Sequence, residues 1–178
     1  GVTKDEILVG SIQDLSGPIA AFGKATRQGM VLRVDEINEQ GGINGRKIKL
    51  IVEDDGYDPK KAVLAAQKLV NQDKIFAMIG HIGTATNNAA MPVQFEKNVI
   101  NFFPVTAARE MYEPLHRLKY AFAVAYYDQV RVFLPRLVQD KGLKKVCTIY
   151  QDDEFGLEVM RGGEAGLKTL GMDFTEKT

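Results

Sequence analysis

The 178 residues contain one cysteine, Cys147, so neither an internal disulfide nor a multi-cysteine metal site is available. Its setting, the apolar stretch "KVCTIY", predicts a small core residue rather than a reactive thiol. Histidine is nearly as scarce: His81 and His116 are the only two, with no cysteine partner and no His-x-x-x-His spacing to hold zinc. Neither sign of charge is in excess, with 23 Lys plus Arg against 23 Asp plus Glu. That balance supplies no basic field for nucleic acid or acidic membranes. No apolar run approaches the ~20 residues of a membrane-spanning helix. No basic-then-apolar leader precedes Gly1, so an exported form is expected to have lost its signal segment already. Internal repeats and low-complexity tracts are absent, and so is the G-x-S-x-G elbow of a serine hydrolase; Ser16 before Gly17 lacks that turn pattern.

"SGPIAAFGKAT", Ser16 to Thr26, follows the first apolar run and opens a helix, where a phosphate-binding loop would sit. Its spacing fails the Walker pattern, which needs four residues between the glycines and a hydroxyl directly after the lysine. Five residues separate Gly17 from Gly23, and Ala25 follows Lys24. Lys24 is expected to be a solvated helix residue.

Strands and helices alternate along the chain. Ile7–Ile12 reads as a strand ending in the loop "QDLSGP". Phe22, Met30, Val34 and Ile37 then form an apolar stripe at helical spacing from about 20 to 40, stopped by Gly41 and Gly42. "GRKIKLIVEDD" is a second strand. Asp58 and Pro59 open the next helix as cap and first helical residue, and Val63, Leu64, Leu69 and Val70 are its apolar positions. "IFAMIG" is a third strand with too little polarity to face water, and "VINFFP" a fourth. Phe76 and Phe102 are expected to be core aromatics within them. The intervening helix reaches about Lys97, with Pro92 expected to kink it or delay its start.

Through "VTAAREMYEPLHRLKY" the spacing loosens, and a crossing between two domains is placed near its end. "AFAVAY", a helix over 128–141, "KKVCTIY", a helix over about 155–170, and "MDFTEK" restart the alternation. The fold class is therefore α/β, with parallel sheets flanked by helices and right-handed crossovers. The division is 1–120 for an N-terminal lobe and 121–178 for the start of a second. A second sheet of at most three strands would leave an edge uncovered, which implies completion by another segment.

In open parallel sheets, ligands bind beyond the carboxyl ends of the strands. "DLSGP", "EDDGYD", "GHIGTATNN", "PVTAA", "AYYDQ" and "YQDDEFG" all fall at that end. In "GHIGTATNN", Gly80 and Gly83 permit close backbone approach, and the amides near Thr84–Thr86 open a helix able to hold an anionic or carbonyl oxygen. The competing reading is that Thr84 or Thr86 caps its own helix. Asp14, Asp54 and Asp55 suggest a magnesium site only weakly, since acids at strand ends commonly cap turns. Phe22, Tyr57, Tyr126, Tyr127 and Phe155 fall at or beyond strand ends, where a cluster of aromatics would wall a small organic ligand.

Over nearly its whole length the chain resembles the type I periplasmic solute-binding proteins of ABC importers, the branched-chain amino acid and amide group. "LSGPIAAFG", "INEQGGINGRKI", "EDDGYDP", "GHIGT", "FFPVTA" and "EFG" carry the resemblance in that order. It implies two Rossmann-like lobes, a fold that extends well beyond 178 residues, and closure on a small solute without chemical change. Residue by residue, it implies that Ile82, Gly83 and Thr84 hold a ligand carboxylate, that Val105, Thr106 and Ala107 form a second contacting loop, and that Phe22 and Phe155 flank the ligand. Tyr126 occupies a place where amino-acid binders often put an acid beside the ligand ammonium, a departure that weakens recognition of an α-amine. Tyr57 and Gly83 replace a cysteine pair of some members. The implied partners are a small carboxylate or amide and an importer permease, with no cofactor and no nucleic acid. The implied location is periplasmic or extracytoplasmic, with lipid anchoring open. Two alternatives stay open: a sensor domain with the same fold, and an α/β nucleotide or phosphate-transfer enzyme.

Overall fold

A computed structural model describes residues 1–178. Five parallel strands form one sheet: β1 (Glu6–Gln13), β2 (Lys47–Asp54), β3 (Ala77–Ile79), β4 (Ile100–Phe102) and β5 (Lys119–Tyr120), in the order β2-β1-β3-β4-β5. The β1–β2 pairing runs from Glu6 opposite Lys47 to Gln13 opposite Asp54, which brings their carboxyl ends level. The connecting helices are α1 (Ala20–Glu39), α2 (Pro59–Gln67) and α3 (Thr84–Glu96). Beyond a short 3-10 turn at Arg109–Met111 lie α4 (Tyr126–Lys141), β6 (Cys147–Thr148), α5 (Glu154–Lys168) and β7 (Glu176–Lys177), with β6 and β7 paired in parallel as a separate sheet.

The core lies between the five-stranded sheet and α2 and α3, around Ile12, Leu69, Met78, Ala90 and Val99. Small residues permit the close packing. Ala62, Ala65 and Ala66 form the buried face of α2. At Gly10 in β1, an added Cβ would lie 2.7 Å from Ile75 Cδ1. Asp58 caps α2 as its sequence predicts, its carboxylate accepting the amides of Lys60 and Lys61, with Pro59 in the first turn. Leu69 and Val70 are buried from a π-helical turn, Lys68–Gln72, that re-registers the end of the helix.

Several sequence expectations are corrected. "AFAVAY" is not a strand: Lys119–Tyr120 pairs with β4 in the first sheet, and residues 121–125 are irregular. Cys147 is exposed, because β6 is two residues long and sits in a two-stranded sheet that buries little. Phe76 precedes β3 and is 50 % exposed; Phe102 is 40 % exposed beside the short strand β5. Phe102 stacks on its neighbour Phe103 with ring centroids 4.1 Å apart. Leu64 points to solvent, because the alanines take the buried face of α2. On α1, Met30, Val34 and Ile37 are half-buried while Phe22 is exposed. Pro92 does not delay α3, which starts at Thr84 and continues through it.

Candidate functional site

The strand order 2-1-3-4-5 reverses direction between β1 and β3, and open α/β sheets form a crevice at such a point. Here the crevice is a cleft of about 270 Å³ beyond the carboxyl ends of the strands. It is lined by Ile19, Phe22 and Thr26 from the start of α1, Tyr57 after β2, Ile82, Gly83 and Thr84 after β3, and Val105 and Thr106 after β4. Tyr126, Gln151 and Phe155 complete it from the α4 and α5 side.

The β1–α1 loop is held by Asp14, which is fully buried. Its carboxylate accepts the amides of Ser16 (3.2 Å), Gly17 and Ile19 (2.8 Å). These amides are the ones a phosphate loop would offer to a phosphate, so a fixed negative charge already occupies their nest. Asp54 likewise accepts Leu15 and Gly56 amides, and Asp55 accepts that of Tyr57. The three aspartates thus shape turns. An added Cβ at Gly23 would lie 1.9 Å from the Asp14 carbonyl oxygen, so α1 crosses tightly there. That crossing sends residues 19, 22 and 26, one helical face, into the cleft.

The β3–α3 loop is built from more distant parts. Ile82 donates its amide to the Ile12 carbonyl at 3.1 Å and bridges Val105 in parallel. Gly83 takes φ 97°, a region that favours glycine. An added Cβ there would lie 2.5 Å from Thr86 Oγ1 and 2.8 Å from Tyr57 Cε2. Asn87, fully buried, donates to the carbonyls of His81 (2.8 Å) and Gly83 (2.7 Å) and so clamps the loop from beneath. Neither threonine caps α3. Thr84 Oγ1 shares a 2.7 Å hydrogen bond with Thr106 Oγ1, and Thr86 Oγ1 donates to the Ile82 carbonyl. The amides of Thr84, Ala85 and Thr86 precede the first helical bond, from Asn87 to Gly83, and lie at the positive end of the helix dipole.

The aromatic side of the cleft is set by α4 and α5. Tyr126 and Phe155 meet edge to face, 5.3 Å between centroids at 88°. Tyr57 donates to Asp153 Oδ2 at 3.3 Å, and burial, with that carboxylate second, pushes its phenol up to about 12. Behind the cleft, Arg109 holds the buried Glu158 of α5 through Nε (3.0 Å), Nη2 (3.2 Å) and its own amide (3.2 Å). Its guanidinium lies 3.8 Å from the Tyr127 ring centroid. His81 and Asp55, both fully buried, face each other at 3.7 Å, and desolvation lowers the imidazole below its usual range.

Of the residues predicted from sequence, Phe22, Ile82, Gly83, Thr84, Val105, Thr106, Tyr126 and Phe155 line the cleft together. Ala107 does not; it is buried, and its carbonyl accepts the Tyr126 amide at 2.8 Å, which places α4. Tyr127 leaves the expected aromatic cluster for Arg109, being one residue further around the helix than Tyr126. The sequence alone does not point to Ile19, Thr26 or Gln151, and marks Tyr57 only as a loop aromatic. Helical spacing on either side of Phe22 contains the clue to the first two; Gln151 has none beyond its place in a strand-end loop.

Comparisons with known proteins agree with this geometry. The sequence profile of the periplasmic binding protein family matches residues 6–178. An amino acid binding protein of Pseudomonas aeruginosa is 31 % identical over 169 residues, 94 % of this chain and 45 % of its own. The Leu/Ile/Val-binding protein of Escherichia coli K12 is 27 % identical over 164 residues, 92 % of this chain and 44 % of its own. A crystal structure of a substrate-binding periplasmic protein from Ralstonia solanacearum superposes with a TM-score of 0.89 at 28 % identity, over 96 % of this chain and 48 % of that one. The chain spans less than half the length of these relatives. With the profile match covering nearly every residue and the sheet order matching the site's position, the chain belongs to the periplasmic binding protein family, in its type I, Leu/Ile/Val-binding-protein class.

Proposed function

We propose that this chain is the ligand-capturing part of an extracytoplasmic solute-binding protein that serves the permease of an ABC importer. Residues 1–120 form its N-terminal lobe and 121–178 begin the second. The cleft takes a small organic carboxylate or amide with a branched aliphatic or aromatic body and releases it unchanged. The observation that carries this reading is that the lining contains no charged side chain, yet includes Thr84 and Thr106 beside the free amides at the start of α3. A carboxylate placed there gains charge-assisted bonds and the helix dipole without a counter-charge to desolvate. Ile82, Gly83 and Val105 bring backbone close to the ligand, and Ala107 holds α4 in place. Phe22, Tyr126 and Phe155 cover the apolar body.

A thermal-shift screen of the full-length protein with branched-chain and aromatic acids and amides identifies the ligand, since binding to the folded form raises its apparent stability. Calorimetry with Thr84→Ala then shows affinity for that ligand at least about tenfold weaker, ~1.4 kcal/mol. Unchanged affinity would remove Thr84 from the site, and saturable ATP binding would replace the whole reading with a nucleotide protein.

A further inference from the structure

We propose that Tyr57 and Gln151 screen the Asp153 carboxylate from the cleft, so that this part of the wall selects a neutral hydroxyl or amide on the ligand and rejects an ammonium. The proposal rests on the carboxylate-binding reading above and deepens it. An ionised carboxylate has about four lone-pair directions. In Asp153 all are taken: Oδ1 accepts the amides of Phe155 (3.0 Å) and Gly156 (3.1 Å), and Oδ2 accepts Tyr57 OH (3.3 Å) and Gln151 Nε2. Asp153 itself is not part of the lining, whereas both of its side-chain donors are. The acid is thus one hydrogen bond behind the wall. The cleft meets the outer side of a phenol and a primary amide.

What these groups can still offer defines the ligand. The Tyr57 oxygen, having donated to Asp153, retains acceptor capacity, and Gln151 retains one N–H and its carbonyl. The phenol, pushed up to about 12 by burial, is a neutral group throughout the physiological range, as an ordinary tyrosine also is. The Tyr57 ring packs over Gly83, so this neutral patch adjoins the loop that leads into α3. A hydroxyl or amide N–H near the ligand's acidic end is matched there. An ammonium would be desolvated with no free carboxylate to receive it, the unfavourable case for a buried charge.

The test uses two matched sets of acids that differ only at the α-carbon. One is 4-methylpentanoate, 2-hydroxy-4-methylpentanoate and leucine; the other is 3-phenylpropanoate, 3-phenyllactate and phenylalanine. Calorimetry on the full-length protein is expected to show, in at least one set, the hydroxy acid binding about tenfold or more tighter than the amino acid. Tyr57→Phe keeps the ring but frees one acceptor direction of Asp153 Oδ2, the other still held by Gln151, so the amino acid gains and the hydroxy acid loses. Gln151→Leu, at an exposed position, shifts the preference in the same direction. A purely structural defect weakens all three members alike, and that result overturns the proposal. So does wild-type protein that binds the amino acid as tightly as the hydroxy acid, a result that leaves the carboxylate reading standing. If no member of either set binds and the thermal-shift screen finds only ligands without a carboxylate, the carboxylate reading itself fails and the proposal with it.

Discussion

His81 and Asp55 are fully buried side by side, with His81 Nδ1 and Nε2 and Asp55 Oδ2 lacking hydrogen-bond partners. His81 directly precedes Ile82 and Asp55 lies two positions before Tyr57, so the packing of the pair shapes two loops of the cleft. Desolvation lowers the His81 pKa from 6.5, and the nearby Asp55 only partly opposes it. The native state therefore binds fewer protons than the unfolded chain just below pH 6.5, and stability falls as the pH drops through that value. The loss reaches at most about 1.4 kcal/mol per pH unit. Urea denaturation at pH 7.5 and 5.5 checks this: His81→Gln removes the titration, so the stability gap between wild type and variant narrows at the lower pH. A gap that widens on acidification would show that Asp55 dominates instead. Gly83 illustrates what a single residue discloses from sequence. Its place in "GHIGT" already suggested close backbone approach, whereas its contact with Tyr57 needs a neighbour 26 positions earlier in the chain.

Helix α2 is the element most completely written in local chemistry. Asp58 accepts two amides at its start and Pro59 occupies the first turn. Asp58→Ala is expected to lower stability by about 1 kcal/mol, the usual loss for a helix cap, measured by thermal or chemical denaturation. Ligand affinity is unaffected, because Asp58 is not in the cleft wall. The helix over 154–168 shares that feature, Asp153 accepting the amides of Phe155 and Gly156, whereas those over 20–39 and 126–141 start without a side-chain cap and are legible from their apolar spacing. Strands do not follow such local rules. "AFAVAY" is apolar enough for a strand, but a strand exists only where another strand accepts it, and β4 accepts Lys119–Tyr120 instead.

Across the whole molecule, the α5 helix is tied to the five-stranded unit by Arg109. Glu158 is 2 % exposed while the Arg109 side chain is 31 % exposed. Arg109→Met would leave a buried carboxylate without its cation. Because the arginine remains partly hydrated, the expected loss is about 2–3 kcal/mol, at or below the ~3–5 kcal/mol of a fully buried pair. For a chain of this size that is a fall in Tm of roughly 4–12 °C. Adding Glu158→Gln recovers part of it by removing the stranded charge; a double variant as unstable as the single would show that the contribution of Arg109 lies in its stacking on Tyr127.

The alternation of strand and helix, and the presence of polar and glycine-rich loops at the carboxyl ends of the strands, follow from periodicity and turn chemistry within a few residues of each position. Those two properties suffice for the α/β architecture and bring forward Phe22, Gly83, Thr84, Tyr126 and Phe155 of the cleft wall, whereas Ile82, Val105 and Thr106 are reached only through the resemblance to solute-binding proteins. Packing between distant segments settled the rest. Tyr126 faces the cleft while Tyr127 lies under Arg109, Cys147 is exposed rather than buried, and Asp14 fills the loop that a phosphate would need. Tyr57 reaches Asp153 across 96 positions of sequence. Local hydrogen bonding and burial patterns cannot encode such partners, because the direction of a loop side chain is fixed by whatever the fold brings against it.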